Sequence, residues 1–110
     1  MPIYNKLIRD RIPQIMDEAG KTYTIRTLSD DEYKTELQKK CQEELNEYLA
    51  AENDTDSVEE LADLLELIHT LVRIHGSTPE ELEAVRVKKA EKRGGFEEKL
   101  FLIEVEDDKR

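Results

Sequence analysis

Cysteine, aromatic residues and positive charge are all scarce in these 110 residues. There is one cysteine, Cys41, so no internal disulfide can form, which fits a reducing compartment. Cys41 falls on the apolar stripe of a predicted helix and reads as a small core residue, not as a reactive thiol. With four glycines and three prolines, the chain has no low-complexity linker, and no internal repeat is visible. No apolar run reaches the length of a bilayer span, and the N-terminus lacks a signal-peptide pattern. The expectation is a cytoplasmic protein with no membrane partner. The 17 Lys and Arg are outnumbered by 27 Asp and Glu, for a net charge of -10. Such a surface repels phosphodiester backbones, so no nucleic-acid partner is expected. A charged fraction of 40% would also suit disorder. The dense Leu and Ile between Leu61 and Ile74 argue instead for a folded core, and one domain over residues 1–110 is long enough to build it.

What the chain does have is an acidic pattern. Glu43-Glu44-Leu45-Asn46-Glu47 is followed, after twelve residues, by Glu60-Leu61-Ala62-Asp63. The pairs Glu44/Glu47 and Glu60/Asp63 have i,i+3 spacing, which projects both carboxylates from one helix face. The polar stretch 53–56 between the two segments is short enough to make them antiparallel neighbours. Four carboxylates facing one another cannot all stay ionised near neutral pH without a cation.

The expected fold is mainly α: an antiparallel bundle of about four helices with a small two-stranded β appendage. Pro13 opens a first helix that stops at Gly20. Residues 22–28, rich in Thr and other β-formers, read as a strand paired with a second at 98–105. Ser29 and Glu32 form a capping box that starts a helix running to about Glu52. On it Leu37, Cys41, Leu45 and Tyr48 make an apolar stripe that contains Glu44, with Glu47 on its edge. A carboxylate on a buried seam is costly without a partner, so Glu44 is the most informative residue in the sequence. Asp56 is the expected cap of a third helix ending at Gly76, and Thr78-Pro79-Glu80-Glu81 opens a fourth. His69 and His75 read as ordinary core or surface residues and not as ligands.

Carboxylates without clustered His or Cys favour hard cations, so Mg²⁺ is expected, with Mn²⁺ as its substitute. Mg²⁺ held by carboxylates takes phosphate oxygens as further ligands. Lys6, Arg9 and Arg11 form a basic cluster in an otherwise acidic chain, and Arg93 precedes Gly94-Gly95-Phe96. These four are the expected phosphate-binding residues, with Asp10 placed to orient an arginine or assist the metal. The combination points to a nucleotide polyphosphate as substrate.

The EExxE…ExxD pattern resembles that of the MazG-like, all-α nucleotide pyrophosphohydrolases. The opening stretch from Tyr4 to Pro13 and the late Arg93-Gly94-Gly95-Phe96 are similar to a phosphoribosyl-ATP pyrophosphohydrolase-like subgroup. The resemblance extends over nearly the whole chain, with Ile8 and Arg11 as mild departures. It implies Mg²⁺-dependent cleavage between the α- and β-phosphates of a nucleoside triphosphate, giving a nucleoside monophosphate and pyrophosphate. It implies Glu44, Glu47, Glu60 and Asp63 as metal ligands, and Glu43 and Glu44 as the residues serving catalysis, Glu43 by positioning water or supporting a ligand. Phosphoribosyl-ATP hydrolysis in histidine synthesis is the alternative substrate assignment. A helical interaction or regulatory module without activity is the alternative of another kind. A third helix apolar around most of its circumference needs cover, and a homodimer would supply it, with a dimer of dimers as the larger assembly.

Overall fold

The structure is a computed structural model that describes residues 2–106. Its regular structure there consists of helices α1 (Ile12–Glu18), α2 (Asp30–Ala50), α3 (Asp54–Ile74) and α4 (Pro79–Arg93). The chain divides into two compact units. One ends at Thr78 and holds α1 to α3; the other begins at Pro79 and holds α4. No helix among the described residues is long and apolar enough to cross a membrane.

Local chemistry explains where the helices start and stop. Pro13 lies in the first turn of α1, where a missing N–H costs nothing. At its end Gly20 adopts φ +71°, and the Gly20 and Lys21 amides donate to the Asp17 and Met16 carbonyls. Gly76 closes α3 in the same way at φ +79°, with Gly76 and Ser77 donating to Arg73 and Val72. Both are Schellman closures, which need a left-handed residue at that place. The Ser29–Glu32 capping box of α2 is present in both directions. The cap of α3, however, is Asn53 and not Asp56. Asn53 Oδ1 accepts from the Asp56 amide at 2.8 Å, while its Nδ2 donates to Asp56 Oδ2 at 2.9 Å. Asp56 thus takes the third helical position and adds to the negative charge that suits a helix start.

The core of the first unit is the packing of α2 on α3. Only three residues join these 21-residue helices, so the two run antiparallel. Leu37 on α2 and Leu67 on α3 are buried, and Glu44 is buried with them. The seam departs from the expected stripe at one position. Leu45 is 39% exposed, whereas Glu44 is 9% exposed. Glu44 is seven residues from Leu37, two helical turns on nearly the same face, while Leu45 is rotated away by about 100°.

The expected β appendage is absent. Residues 22–28 and 98–105 have no regular secondary structure, and the described residues contain no strand. A two-stranded ribbon gains little unless one face is buried. Ile25, Phe101 and Ile103 are all exposed, so no buried face exists. The polar residues of the first segment bond locally instead: Tyr23 to Asp17 at 2.8 Å, and Arg26 to Glu32 at 2.8 and 3.2 Å.

Candidate metal centre

Glu44, Glu47 and Glu60 come together between α2 and α3. Each offers a carboxylate oxygen, and the three oxygens all lie within 4.8 Å of one another. Helical spacing supplies two of the three, since Glu44 and Glu47 are one turn apart on α2. The α2–α3 packing adds Glu60. Glu44 is buried, Glu60 half-buried and Glu47 exposed, so the cluster runs from the seam outward to solvent.

Three carboxylates at such range repel, and burial adds to the cost. The Glu44 carboxyl is pushed up to about 7, first by burial and then by hydrogen bonding to Glu47 and Glu60, with the charges of Glu47 and Asp63 adding to it. Glu60 is raised as well, again with burial first. Oε2 of Glu44 and Oε2 of Glu60 are shielded from solvent and have no hydrogen-bond donor. Orphaned buried oxygens on two facing helices, in an all-oxygen donor set, fit a hard divalent cation. Beside them, around the turn joining α2 to α3, opens a cleft of about 340 Å³ lined by Glu47, Ala50, Ala51, Glu52, Asp56 and Glu60.

The remaining predicted residues are distributed as follows. Asp63 lies one turn beyond Glu60, but its Oδ1 accepts from Arg9 Nη2 at 2.7 Å. Lys6 Nζ stands 5.5 Å from the centre of the Tyr4 ring. Lys6 also lines a small pocket with Leu7, Glu36, Lys39, Lys40 and Glu43. Glu43 is therefore exposed beside lysines, while its neighbour Glu44 joins the cluster. Arg11 is exposed at the N-cap of α1 without a side-chain capping bond. Asp10 is exposed just before it. Arg93 ends α4 in the second unit. His69 is half-buried and His75 is the exposed C-cap of α3; neither belongs to the carboxylate cluster. Cys41 is half-buried with its thiol pushed up by burial and by Glu44, which disfavours a reactive thiolate.

Sequence reading missed the cleft walls and the Arg9–Asp63 pair. The adjacent alanines 50 and 51, small residues at the end of α2, were the available sign of the first. The second had none, because Arg9 precedes any regular element and is 54 positions from its partner.

With this geometry in place, comparison with known proteins is informative. A family model described as phosphoribosyl-ATP pyrophosphohydrolase matches residues 2–90. An uncharacterized protein of Mycolicibacterium smegmatis (strain ATCC 700084 / mc(2)155) is 46% identical over 54 residues. That match covers 49% of this chain and 55% of the relative, so the chain spans about half the relative's length. No solved structure matches the chain.

Proposed function

This chain belongs to the phosphoribosyl-ATP pyrophosphohydrolase family, within the MazG-like all-α superfamily, and from that membership we propose that it is a Mg²⁺-dependent nucleoside triphosphate pyrophosphohydrolase. The reaction is hydrolysis between the α- and β-phosphates, giving a nucleoside monophosphate and pyrophosphate. The observation that carries this reading is the trio of Glu44, Glu47 and Glu60, with a buried oxygen on Glu44 and another on Glu60 lacking any donor.

In this reading Glu44, Glu47 and Glu60 hold the cation. When bound, Mg²⁺ polarises phosphoryl oxygens and offsets the negative charge of the polyphosphate. The protein's own part is positioning. The α2–α3 packing holds Glu44 and Glu60 in a fixed relation before any ligand arrives, so little ordering is needed on binding. Arg9 and Lys6 supply positive charge from the N-terminal segment for phosphate oxygens. The cleft beside Glu47 and Glu60 has room for the nucleoside, and Glu52 and Asp56 offer acceptors for sugar hydroxyl and base amino groups.

Phosphoribosyl-ATP is the second substrate reading, favoured by the description of the matching family model. It uses the same bond cleavage and the same carboxylates. We further propose that a second copy covers the exposed face of α3. Val58, Leu61, Leu65 and Ile68 are all exposed there. Their 3-4-3 spacing forms one apolar stripe suited to helix pairing.

The test is pyrophosphate release from a panel of nucleoside triphosphates and phosphoribosyl-ATP with Mg²⁺. Release is expected for at least one substrate and is abolished by chelation. Glu44→Gln and Glu60→Gln are each expected to lower kcat by about a hundredfold or more while the helical signal is retained. No release from any substrate would overturn the assignment in favour of a non-catalytic helical module.

A further inference from the structure

The carboxylates gathered between α2 and α3 share their stripe on α2 with one lysine. Lys40 lies four residues before Glu44 and seven before Glu47. At about 100° per residue the three fall within a sector of about 60°, with Lys40 about 6 Å along the axis from Glu44. Ala51, four residues past Glu47, continues the stripe to the turn, where it lines the cleft. One side of α2 therefore carries, in order, a cationic group, the carboxylates and the cleft. Lys40 is half-buried, whereas Lys6 and Lys39 are exposed. Glu36, Glu43 and Glu44 all lie within about one turn of it, yet among the described residues Lys40 forms no ion pair, while Lys39 takes Glu36 at 3.3 Å. Lys39 is also rotated from Lys40 by about 100°, outside the carboxylate sector. The ammonium group of Lys40 is thus left for an anion that arrives from outside.

We propose that the nucleotide lies along α2 in one direction, with the nucleoside in the cleft at Ala51, the α-phosphate at the carboxylates, and the β- and γ-phosphates at Lys40, whose ammonium group binds the departing pyrophosphate. This rests on the pyrophosphohydrolase reading above and adds a direction and a residue to it. Charge decides the direction. The cleft is walled by Glu47, Glu52, Asp56 and Glu60 and by no basic side chain, so it repels a polyphosphate but not an uncharged nucleoside. Size agrees with charge. The cleft has about 340 Å³, in the range of small-molecule sites, whereas the pocket that Lys40 shares with Lys6 has about 30 Å³, too little for a nucleoside. In the hydrolysis, water adds to the α-phosphorus and a proton passes to solvent. The bond from that phosphorus to the bridging oxygen breaks, and the oxygen leaves on pyrophosphate with the electron pair. Lys40 stands at the end of the stripe where that negative charge grows.

The experiment measures product binding and not turnover. Mn²⁺ alone, and then inorganic pyrophosphate or each of four nucleoside monophosphates with Mn²⁺ present, are titrated calorimetrically into wild type, Lys40→Met, Lys40→Arg, Lys39→Met and Ala50→Leu. Lys40→Met keeps the apolar stem and removes the charge. It is expected to weaken pyrophosphate binding by about tenfold, and to change Mn²⁺ and the tightest-binding monophosphate by less than about threefold. Lys40→Arg keeps the charge and is expected to recover most of the loss. Lys39→Met is expected to bind all three as wild type does. Ala50→Leu narrows the cleft and should give the mirror result, about a tenfold loss for the monophosphate and less than about threefold for pyrophosphate. Equal losses for the two products in Lys40→Met, or a matching loss of Mn²⁺, would overturn the role of Lys40. A larger loss for pyrophosphate than for the monophosphate in Ala50→Leu would reverse the direction and overturn the proposal. Wild type that binds no pyrophosphate with Mn²⁺ would do the same. A protein that meets these binding expectations yet cleaves no nucleotide would overturn the reaction while leaving the direction of binding intact.

Discussion

At the scale of the residue, Glu44 is a carboxyl placed where apolar packing would put a leucine. Burial and two neighbouring carboxyls raise it from its ordinary range to about 7. In the metal-free protein the folded state therefore keeps a proton that the unfolded chain releases near pH 4.5. The linkage sign follows: this stabilisation is complete below the unfolded value and is lost as pH rises through the folded one. Glu60 shifts in the same direction. Glu32 shifts the opposite way, to about 2, through Arg26 and the Ser29 cap, so its contribution disappears only in acid, outside this window. The melting temperature of the chelated protein is expected to fall between about pH 5 and pH 8, and Mg²⁺ at the upper end should recover it. A flat or rising profile in chelator would show that the carboxyls do not crowd one another in solution.

At the scale of the element, α2 and α3 form a hairpin whose seam follows a seven-residue step from Leu37 to Glu44. Leu37 is 2% exposed, so its truncation leaves a cavity. Leu37→Ala is expected to cost about 2–5 kcal/mol in chemical denaturation. Leu45→Ala, on the flank of the seam, is expected to cost well under half of that. Equal losses at the two positions would mean that the packing face has been assigned to the wrong side of α2. Loss of the Leu37 contact should also loosen the cluster, because the relation of Glu44 to Glu60 depends on the helices meeting.

At the scale of the whole molecule, α3 carries more apolar surface than α2 covers. Leu67 and Leu71 face inward or nearly so, and Val58, Leu61, Leu65 and Ile68 lie on the exposed flank. With Leu65 half exposed in the single chain, a charge placed there costs that chain little but would be buried unpaired between copies. Leu65→Lys is expected to shift sedimentation from dimer to monomer while far-ultraviolet circular dichroism stays that of a helical protein. Wild-type protein that already sediments as a monomer at micromolar concentration would remove the case for a covering copy.

What the sequence determined by itself was local. Capping residues, glycines at helix ends and i,i+3 spacing act within a turn or two, so α1, α2 and α4 lay close to their expected bounds. The same spacing showed the two acidic pairs. Even the Asn53 cap was lost only because Asn53 and Asp56 both suit a helix start, and the choice depends on which side chain reaches which amide. The tertiary structure decided which carboxylates meet. Spacing treated Glu47, Glu60 and Asp63 alike and left Glu43 beside them, but the α2–α3 packing gathered Glu44, Glu47 and Glu60, left Glu43 on a separate small pocket that Lys6 also lines, and gave Asp63 to Arg9. It also denied residues 22–28 and 98–105 the buried face that a strand pattern presupposes. The physical reason is common to all of these. A helix end is set by bonds between near neighbours, whereas a shared site or a sheet depends on distant segments meeting, and no local preference encodes where they will meet.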